Sequence, residues 1–329
     1  MKIKEVVGID VSKLTLDCCI HTSGLQKTFS NDPEGIEQMV SWSLKTSNLA
    51  KEHLLFVFEH TGLYSHQLIQ FLGGEKYLLQ VVPGLEIKRS MGITRGKDDK
   101  ADAKRIALYG YRVREEIDDF KLSTPSLIKL KYLMSMRKKL VIQRAGHMTT
   151  LKEQQRIFKD EDLLYGVQRE VIKVLDKQIK LLEKEMDKII SQDPILKKQY
   201  QLLMTIKGLG KVTARYLIVF TDGFTTFKTW RKFAAYCGIA PFPNQSGTSI
   251  RGKTKVSRLA HLDGKALLHL CAVCAIRTNP ELREYYKRRL KSGKNKMSTI
   301  NIIRNKLLAR AFAVAGRGTP YVEIMKYAS

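Results

Sequence analysis

The 329-residue chain carries 58 Lys and Arg side chains against 32 Asp and Glu, which gives a formal net charge of +26. Hydrophobic residues make up 43% and charged residues 27%, a composition typical of a globular protein that excludes a disordered basic tail. The length is sufficient for two domains with separate cores. Proteins that tolerate so large an excess of positive charge usually bind a polyanion, so nucleic acid is the leading class of partner.

Export, membrane insertion and a disulfide framework are not favoured. The N-terminus lacks the apolar stretch of a signal peptide, and the most apolar later segment, Ala266 to Ile276, is too short to span a bilayer. The five cysteines are a sparse, odd set, which favours a reducing cytosol. Cys271 and Cys274 have metal-like spacing with His269 nearby. A structural zinc site needs four ligands, however, so a buried helix is the favoured interpretation of this segment.

The positive charge is confined to the second part of the chain. Residues 1–120 contain 16 basic and 17 acidic side chains, whereas residues 121–329 contain 42 and 15. Residues 201–329 contain 24 basic and only 5 acidic side chains, the density expected of a surface that neutralises phosphates. The distribution predicts a near-neutral domain for chemistry, followed by basic regions that hold nucleic acid.

The first 120 residues predict an α/β domain. Apolar, β-branched runs and turn signals predict strands over about 3–10, 14–20 and 25–29, a helix after Asp32-Pro33, a buried strand over 54–59, a helix over 64–72, a strand over 77–82 and further helices to about 111. The expected order is strand, strand, strand, helix, strand, helix, strand, helix.

Residues 121–198 predict long helices that end before Pro194. Apolar residues recur there at alternating spacings of three and four, the a/d seam of a coiled coil; they are Ile172, Leu175, Ile179, Leu182, Met186 and Ile189. Such a seam must pack against another helix. The partner is either the helix around residues 127–151, in an intramolecular hairpin, or a second subunit.

Residues 199–329 predict a mainly helical domain with two unusual segments. In the first, Gly208 and Gly210 form a turn before a helix, as in helix-hairpin-helix DNA-binding turns, where backbone N–H groups approach a phosphate. The alternative is a turn whose glycines serve only tight packing. The second segment, residues 238–253, is polar, has a basic end and shows neither helical nor strand periodicity. It predicts a long ordered loop, and such loops are often functional.

Acidic residues follow two of the apolar strands. Asp10 and Glu59 each end a strand, where a carboxylate is costly unless it faces a solvated cleft or a cation. Asp99 and Asp102 lie on one face of a predicted helix start, and helix capping is the alternative role for that pair. Four converging carboxylates need divalent cations, and oxygen-only ligands favour Mg²⁺ or Mn²⁺. These four acids are therefore the predicted metal ligands and catalytic residues.

An ordered set of motifs carries a family resemblance. The motifs are Gly8-Ile9-Asp10-Val11-Ser12-Lys13, Phe58-Glu59-His60-Thr61-Gly62, Lys97-Asp98-Asp99-Lys100-Ala101-Asp102-Ala103, Ile206-Lys207-Gly208-Leu209-Gly210, Tyr236-Cys237-Gly238-Ile239-Ala240-Pro241, Ser246-Gly247 and Gly293-Lys294. In this order, and over essentially the whole chain, they resemble the DEDD-type transposases of bacterial insertion sequences, relatives of the Piv invertase. The resemblance implies a RuvC- and ribonuclease H-like domain over 1–120, a helical coiled-coil region for linking or oligomerisation over 121–198 and a transposase domain over 199–329.

The resemblance also implies a chemistry. In that family, four acidic residues bind Mg²⁺ and a serine attacks DNA to form a phosphoserine link, while an element-encoded bridge RNA selects donor and target DNA. Carried over to this chain, the acids are those named above and the nucleophile is Ser246, with Ser249 as the alternative. Asp98 stands where relatives often have Thr or Asn, which leaves the choice of ligand between Asp98 and Asp99 open.

The resemblance and the charge together give the expected partners. Contacts to nucleic acid are expected from Lys207, Gly208, Gly210, Lys211, Thr213, Arg251, Lys253, Lys255 and Arg258. The partners are donor and target double-stranded DNA, the guide RNA and further copies of the chain. Exchange of two duplexes takes four strand cleavages, which favours a dimer to a tetramer. No membrane partner is expected, and the expected location is the bacterial cytoplasm, at the nucleoid.

Two other functions compete with this interpretation. In a metal-dependent endonuclease of the Holliday-junction type, water attacks the DNA and no covalent intermediate forms. In a nucleic-acid-binding scaffold, the acids have no catalytic role and their replacement leaves every activity unchanged.

Overall fold

The computed structural model describes residues 3–90, 99–117, 120–158, 162–246 and 250–323, without the side chains of residues 99, 100, 162, 246, 250, 251 and 253. The chain divides into two compact units, residues 1–122 and 123–329. Within the described ranges, no helix combines the length and the apolar character needed to cross a membrane.

The first unit is built on a five-stranded mixed sheet. Its elements are β1 (Glu5–Val11), β2 (Thr15–Ile20), β3 (Gln26–Ser30), α1 (Pro33–Ser47), a 3₁₀ turn (Lys51–His53), β4 (Leu54–Glu59), α2 (His66–Gly74), β5 (Leu78–Val82), α3 (Gly84–Ser90) and α4 (Asp99–Val113). The strand order is β3-β2-β1-β4-β5. The first three strands are antiparallel neighbours, and β4 and β5 run parallel to β1. The predicted α/β domain is confirmed, and this topology is compatible with a RuvC-like fold.

The sheet is covered on both faces. One face packs under α1 and α2 through side chains that include Val7, Ile9, Phe56 and Phe58. The other packs against α4 through Val6, Leu55 and Val57, which contact Ile106 and Tyr109. Because side chains alternate along a strand, Asp10 in β1 and Glu59 in β4 belong to the α4 face.

The second unit is mainly helical. Its elements are α5 (Pro125–Ile157), α6 (Asp162–Gln192), α7 (Pro194–Met204), α8 (Lys211–Phe220), α9 (Trp230–Tyr236), β6 (Pro241–Ser246), β7 (Ile250–Val256), α10 (Leu262–Thr278), α11 (Pro280–Lys291) and α12 (Lys296–Arg317). One core joins Leu130 of α5 and Met186 of α6 to residues of the later helices such as Leu203 and Tyr216. The long helices therefore share a core with the C-terminal helices, and a functional boundary at residue 198 stays a prediction.

Helices α5 and α6 form an antiparallel pair. Ion pairs connect Lys129 to Glu185 (2.7 Å), Arg137 to Glu183 (2.6 Å) and Arg144 to Asp176 (2.7 Å). The residue numbers rise along α5 as they fall along α6, so the two helices form a hairpin. Three seam residues are buried, namely Ile179, Met186 and Ile189. The intramolecular pairing is confirmed, whereas coiled-coil packing and a contact between subunits stay predictions.

The polar segment after residue 238 is a β-hairpin, and the expectation of an irregular loop was wrong. Strands β6 and β7 are antiparallel, with Phe242 opposite Lys255 and Ser246 opposite Ile250, and a bulge lies between Phe242 and Asn244. Residues 241–245 are all exposed. Because neither face of β6 is buried there, the strand has no alternation of apolar and polar residues, and its sequence carries no strand signal.

Candidate active site

Strands β1 and β4 bring Asp10 and Glu59 to the same end of the sheet. Ile9 lies opposite Phe58 in the parallel ladder, so the two acids are the next pair along it. Neighbouring strands lie about 4.8 Å apart, and both side chains point toward the α4 face. Two carboxylates on adjacent strands therefore share one edge of the sheet, as predicted from their positions at strand ends.

Glycines allow α4 to lie directly on this face. A Cβ atom added to Gly8 would lie 2.2 Å from the backbone nitrogen of Ala107 and 2.4 Å from the carbonyl oxygen of Ala103. A Cβ atom on Gly110 would lie 2.9 Å from a methyl group of Val6. Residue numbers thus fall along α4 as they rise along β1. The N-terminal end of α4 must lie over the C-terminal end of β1.

This packing directs the start of α4 toward Asp10. Asp99 is the first residue of the helix and Asp102 follows one turn later. The Asp102 carboxylate is partly exposed and accepts a hydrogen bond from Nη1 of Arg105 at 2.7 Å. The side chain of Asp99 and the whole of Asp98 lie outside the described residues.

Glu59 lies against the start of α3. A Cβ atom on Gly84 would lie 2.0 Å from Oε1 of Glu59, so a residue with a side chain at position 84 would displace the carboxylate. The absence of a side chain at the first residue of α3 therefore gives Glu59 its place. The glycine at position 84 is the sequence signal for this contact, and it was not recognised from sequence.

A further acid, Asp17, was also missed. It lies directly opposite Asp10 in the antiparallel ladder of β1 and β2, on the same face of the sheet. Its Oδ1 atom accepts a hydrogen bond from the Thr28 hydroxyl at 2.5 Å. Asp17 and Thr28 line a small pocket together with Ala103 of α4. Centring the β1–β2 turn between residues 13 and 14 would have paired the two acids from sequence.

The donor set at this edge fits a divalent cation in its chemistry. All the side chains are carboxylates, the ligands that Mg²⁺ and Mn²⁺ prefer. Among the side chains that are described, no group of three or more Asp, Glu, His or Cys lies close enough to hold a metal ion. That set does not include Asp99, whose side chain is undescribed.

Ser246 is the last residue of β6, at the tip of the β-hairpin. Its side chain and residues 247–249, including the alternative nucleophile Ser249, lie outside the described residues. Two asparagine side chains hold the base of the hairpin. The carbonyl oxygen of Ile239 accepts hydrogen bonds from Nδ2 of Asn301 at 2.9 Å and of Asn305 at 3.0 Å.

The second leg of the hairpin is held by His261. Its backbone N–H donates to the carbonyl oxygen of Tyr236 at 2.8 Å, and its ring stacks on the Tyr236 ring. Its Nδ1 atom lies 2.8 Å from the Tyr216 hydroxyl. Burial lowers the pKa of His261, and the carboxylate of Asp263 partly offsets that effect. Burial also raises the pKa of Tyr216.

The glycine turn joins α7 to α8. Gly208 has a φ of +94° and would place a Cβ atom 2.5 Å from Cβ of Ala275, so its role is tight packing on α10. Gly210 precedes α8 as its N-cap, and a Cβ atom there would meet open space. Tight packing therefore accounts for Gly208, and a phosphate contact at Gly210 stays a prediction.

The residues around this turn differ in their surroundings. Lys207 and Lys211 are both exposed, and the Lys207 ammonium forms an ion pair with Glu323 at 3.0 Å. Thr213 is buried, and its Oγ1 atom accepts a hydrogen bond from Sγ of Cys271 at 3.1 Å. The Thr213 side chain therefore faces the core, and a phosphate contact through the Thr213 backbone N–H, in the first turn of α8, stays a prediction.

Two of the four basic residues expected at the hairpin can be placed. Lys255 in β7 and Arg258 just after it are exposed. The side chains of Arg251 and Lys253 lie outside the described residues.

Among the described residues, Cys271, Cys274 and His269 do not converge with other ligands on a metal site. Sγ of Cys271 faces Thr213, whereas Nδ1 of nearby His269 faces Arg304, and Cys274 is exposed. The three side chains thus have different surroundings, as expected for a helix packed on two neighbours.

Two family models match the chain. One, a transposase model of the DEDD IS110 type, matches residues 7–156. The other, described as the transposase IS116/IS110/IS902 family, matches residues 200–287. Together they match more than two thirds of the chain. The first match contains Asp10, Glu59 and the start of α4, and the second contains the glycine turn and the β-hairpin.

Relatives agree with these matches. The chain is 27% identical over 327 residues to the pilin gene-inverting proteins of Moraxella bovis and Moraxella lacunata, which covers 97% of this chain and 98% of each relative. It is 28% identical over 144 residues to the insertion element IS110 uncharacterized 43.6 kDa protein of Streptomyces coelicolor, which covers 44% of this chain and 34% of that relative. The chain belongs to the IS110 family of insertion-element transposases.

Proposed function

We propose that this transposase cuts and rejoins donor and target DNA through a covalent link between a serine and DNA. The observation that carries the proposal is the shared edge of Asp10, Glu59 and the start of α4, within the part of the chain that matches the DEDD transposase model. The relatives named for pilin gene inversion support a rearrangement of DNA.

Ser246 is the proposed nucleophile. Its hydroxyl oxygen attacks the phosphorus of a DNA phosphodiester, and the bond from phosphorus to one deoxyribose oxygen breaks. That oxygen leaves as a hydroxyl after taking up a proton, and the serine proton passes to solvent or to a carboxylate. Attack by the hydroxyl of another strand on the phosphoserine rejoins the DNA and frees the serine. Each transfer replaces one phosphoester bond by another, so no external energy source is needed.

Asp10, Glu59, Asp99 and Asp102 would hold the metal ion, Mg²⁺ or alternatively Mn²⁺. A bound ion of this kind neutralises phosphate charge and lowers the pKa of a coordinated hydroxyl, which a serine needs because it is a weak nucleophile. The carboxylates belong to a RuvC-like unit and the serine to the basic unit. In this proposal both units are required for one reaction.

The proposed partners follow from the charge. Residues 121–329 carry 42 basic and 15 acidic side chains, an excess that supports binding of two DNA duplexes and a guide RNA. Residues 199–329 would hold the DNA through Lys211, Gly210, Lys255 and Arg258, with Lys207 joining once Glu323 is displaced. Four strand cleavages require a dimer to a tetramer, and the region 121–198 is the candidate contact between subunits.

A denaturing gel tests the proposal. Purified protein with its native RNA, donor and target DNA and Mg²⁺ should give a covalent protein–DNA adduct. We expect Ser246→Ala, Asp10→Asn and Glu59→Gln to abolish the adduct. Ser292→Ala, which changes an exposed serine bonded within its own helix, should retain it. DNA cleavage without any adduct would support attack by water and reject the serine mechanism, and an undiminished adduct in Ser246→Ala would place the nucleophile elsewhere.

A further inference from the structure

A hydrogen-bond network in the second unit ends at the base of the β-hairpin. Nη2 of Arg304 lies 2.5 Å from Nδ1 of His269, and Nη1 of Arg304 donates to Oδ1 of Asn301 at 3.4 Å. Nδ2 of Asn301 donates to the Ile239 carbonyl at 2.9 Å, and Nδ2 of Asn305 donates to the same oxygen at 3.0 Å. The network connects α10 and α12 to the residue from which the hairpin departs.

Arg304 determines the orientation of the Asn301 amide. A guanidinium group only donates hydrogen bonds, so the amide oxygen must face Arg304 and the NH₂ group must face Ile239. Arg304 is only 7% exposed, and no ion pair with a carboxylate is present among the described residues. Its Nε atom is buried without a hydrogen-bond partner. A buried, unpaired cation costs stability, so folding alone does not explain its position, whereas ordering the network does.

The residues around Ile239 restrict the base of the hairpin further. Ile239 is fully buried, and β6 begins two residues later at Pro241. Gly238 has a φ of +61° and would place a Cβ atom 2.3 Å from Cβ of Ala260, which follows β7. Both legs of the hairpin are thus fixed where they leave the helical body, while residues 241–245 are exposed.

We infer that Asn301, oriented by Arg304, and Asn305 are positioning residues that fix the direction of the hairpin carrying Ser246. The inference rests on the proposed function of Ser246. That residue lies seven positions beyond Ile239, and a strand rises about 3.3 Å per residue. A tilt of roughly 5° at the base therefore moves the tip by about 2 Å, and a misplacement of about 1 Å can reduce a reaction rate on the order of 100-fold.

The test uses the double variant Asn301→Asp, Asn305→Leu. The aspartate keeps an acceptor facing Arg304 and pairs with its charge, while the leucine keeps a side chain of similar shape without donors. Both donors to the Ile239 carbonyl are lost. We expect the unfolding temperature to fall modestly, because the buried Ile239 carbonyl loses its donors, and the DNA affinity to stay near that of the unmodified chain. Amide hydrogen exchange in residues 240–245 and 252–256 should become at least about tenfold faster, and the single-turnover rate of adduct formation should fall on the order of 100-fold.

Asn295→Asp is the matched control, because it makes the same substitution on the same helix. Oδ1 of Asn295 caps α12 by accepting from the Ser298 N–H at 3.1 Å, and an aspartate oxygen accepts equally well. The control should leave hairpin exchange and adduct formation unchanged.

The outcomes separate this inference from the proposed function. Unchanged hairpin exchange and an unchanged adduct rate in the double variant would overturn the inference. A parallel loss of folding stability and DNA affinity would also overturn it, since it would show a general structural role. If the unmodified chain forms no adduct, the proposed function fails, and hairpin exchange still decides whether the network holds the hairpin.

Discussion

Individual residues determine how the carboxylates are arranged at the end of the sheet that carries Asp10 and Glu59. Gly84 leaves room for the Glu59 carboxylate, and Asp17 faces Asp10 across the β1–β2 ladder. Like charges that lie directly opposite on neighbouring strands destabilise a sheet by about 0.2–1 kcal/mol unless a cation lies between them. Asp17 therefore adds repulsion that a bound divalent ion would relieve.

Asp17→Asn should raise the stability of the metal-free protein. Removing one of the two facing charges lowers the repulsion, so the free energy of unfolding with EDTA should rise by about 0.2–1 kcal/mol. The additional stabilisation on adding Mg²⁺ should be smaller than in the unmodified chain. Thermal unfolding with and without Mg²⁺ measures both effects. Asp32→Asn, which keeps the side-chain cap of α1, is the control and should show the unmodified response to Mg²⁺. A lower stability of Asp17→Asn in EDTA would contradict this account.

His261 should make stability depend on pH. Burial lowers its pKa in the folded protein, so the unfolded chain binds more protons near pH 6 and stability falls as the pH drops below the unfolded value of about 6.5. His261→Asn keeps an acceptor near the Tyr216 hydroxyl but does not titrate. We expect its unfolding temperature to decline less between pH 7.5 and 5.5, with a residual decline from His21 and His269, whose pKa values are also lowered by burial. An identical decline in the unfolding temperature would show that His261 does not contribute to the pH dependence.

At the residue scale, the sequence predicted where single acidic residues lie along their strands, but it did not predict which residues lie opposite them. Asp10 and Glu59 were expected at the sheet edge because an acid at the end of an apolar strand needs a cleft or a cation. Asp17 was missed because the pattern of one strand does not show which residue lies opposite it. Burial of the Thr213 side chain was not predicted, because the face that α8 buries depends on its packing against α10, which local spacing does not encode.

At the scale of elements, the approach of α4 to β1 positions the predicted acids. The helix lies on Gly8 with backbone atoms of Ala103 and Ala107 inside the space that a side chain would need. The hydrophobic pattern predicted these elements well because each buries apolar side chains. The β6–β7 hairpin was missed for the opposite reason, since its strands are exposed and form by backbone pairing alone.

Gly8→Ala should disrupt this approach. Its methyl group would meet backbone atoms at 2.2 and 2.4 Å, which cannot move without shifting α4. Overpacking of this kind typically costs about 1–3 kcal/mol, and here we expect the upper part of that range together with loss of DNA cleavage. Gly74→Ala, at the end of α2, meets nothing within 4 Å and should be neutral or stabilising by up to about 1 kcal/mol. Chemical denaturation compares the two variants, and equal effects would contradict the packing argument.

At the scale of the whole molecule, the two units differ in net charge. The sequence predicted this difference directly, because counting charged residues requires no knowledge of the fold. It did not predict which basic side chains remain available. Several are already paired, including Lys207 with Glu323 and Lys138 with Asp263. Lys255 and Arg258 are exposed and remain candidates for phosphate contacts.

Charge reversal at these two residues should change the salt dependence of DNA binding. Each phosphate contact contributes about 0.9 to the slope of log affinity against log salt concentration, so Lys255→Glu and Arg258→Glu should each flatten the slope by about one. Lys45→Glu, an exposed change on α1 in the near-neutral unit, is the control and should leave the slope unchanged. Binding measured by fluorescence anisotropy at several salt concentrations decides this, and an unaltered slope would exclude the residue concerned from the interface.

The central claim is that Ser246 forms the covalent link to DNA, and mass spectrometry of the digested adduct tests it most directly. Trypsin cleavage after Lys232 and Arg251 releases a peptide of residues 233–251, which contains both Ser246 and Ser249. Fragmentation of this peptide after nuclease treatment locates the attached nucleotide. We expect a nucleotide phosphate on Ser246, absent from samples prepared with Asp10→Asn. A nucleotide on Ser249 or on another residue, or cleaved DNA with no modified peptide, would contradict the account.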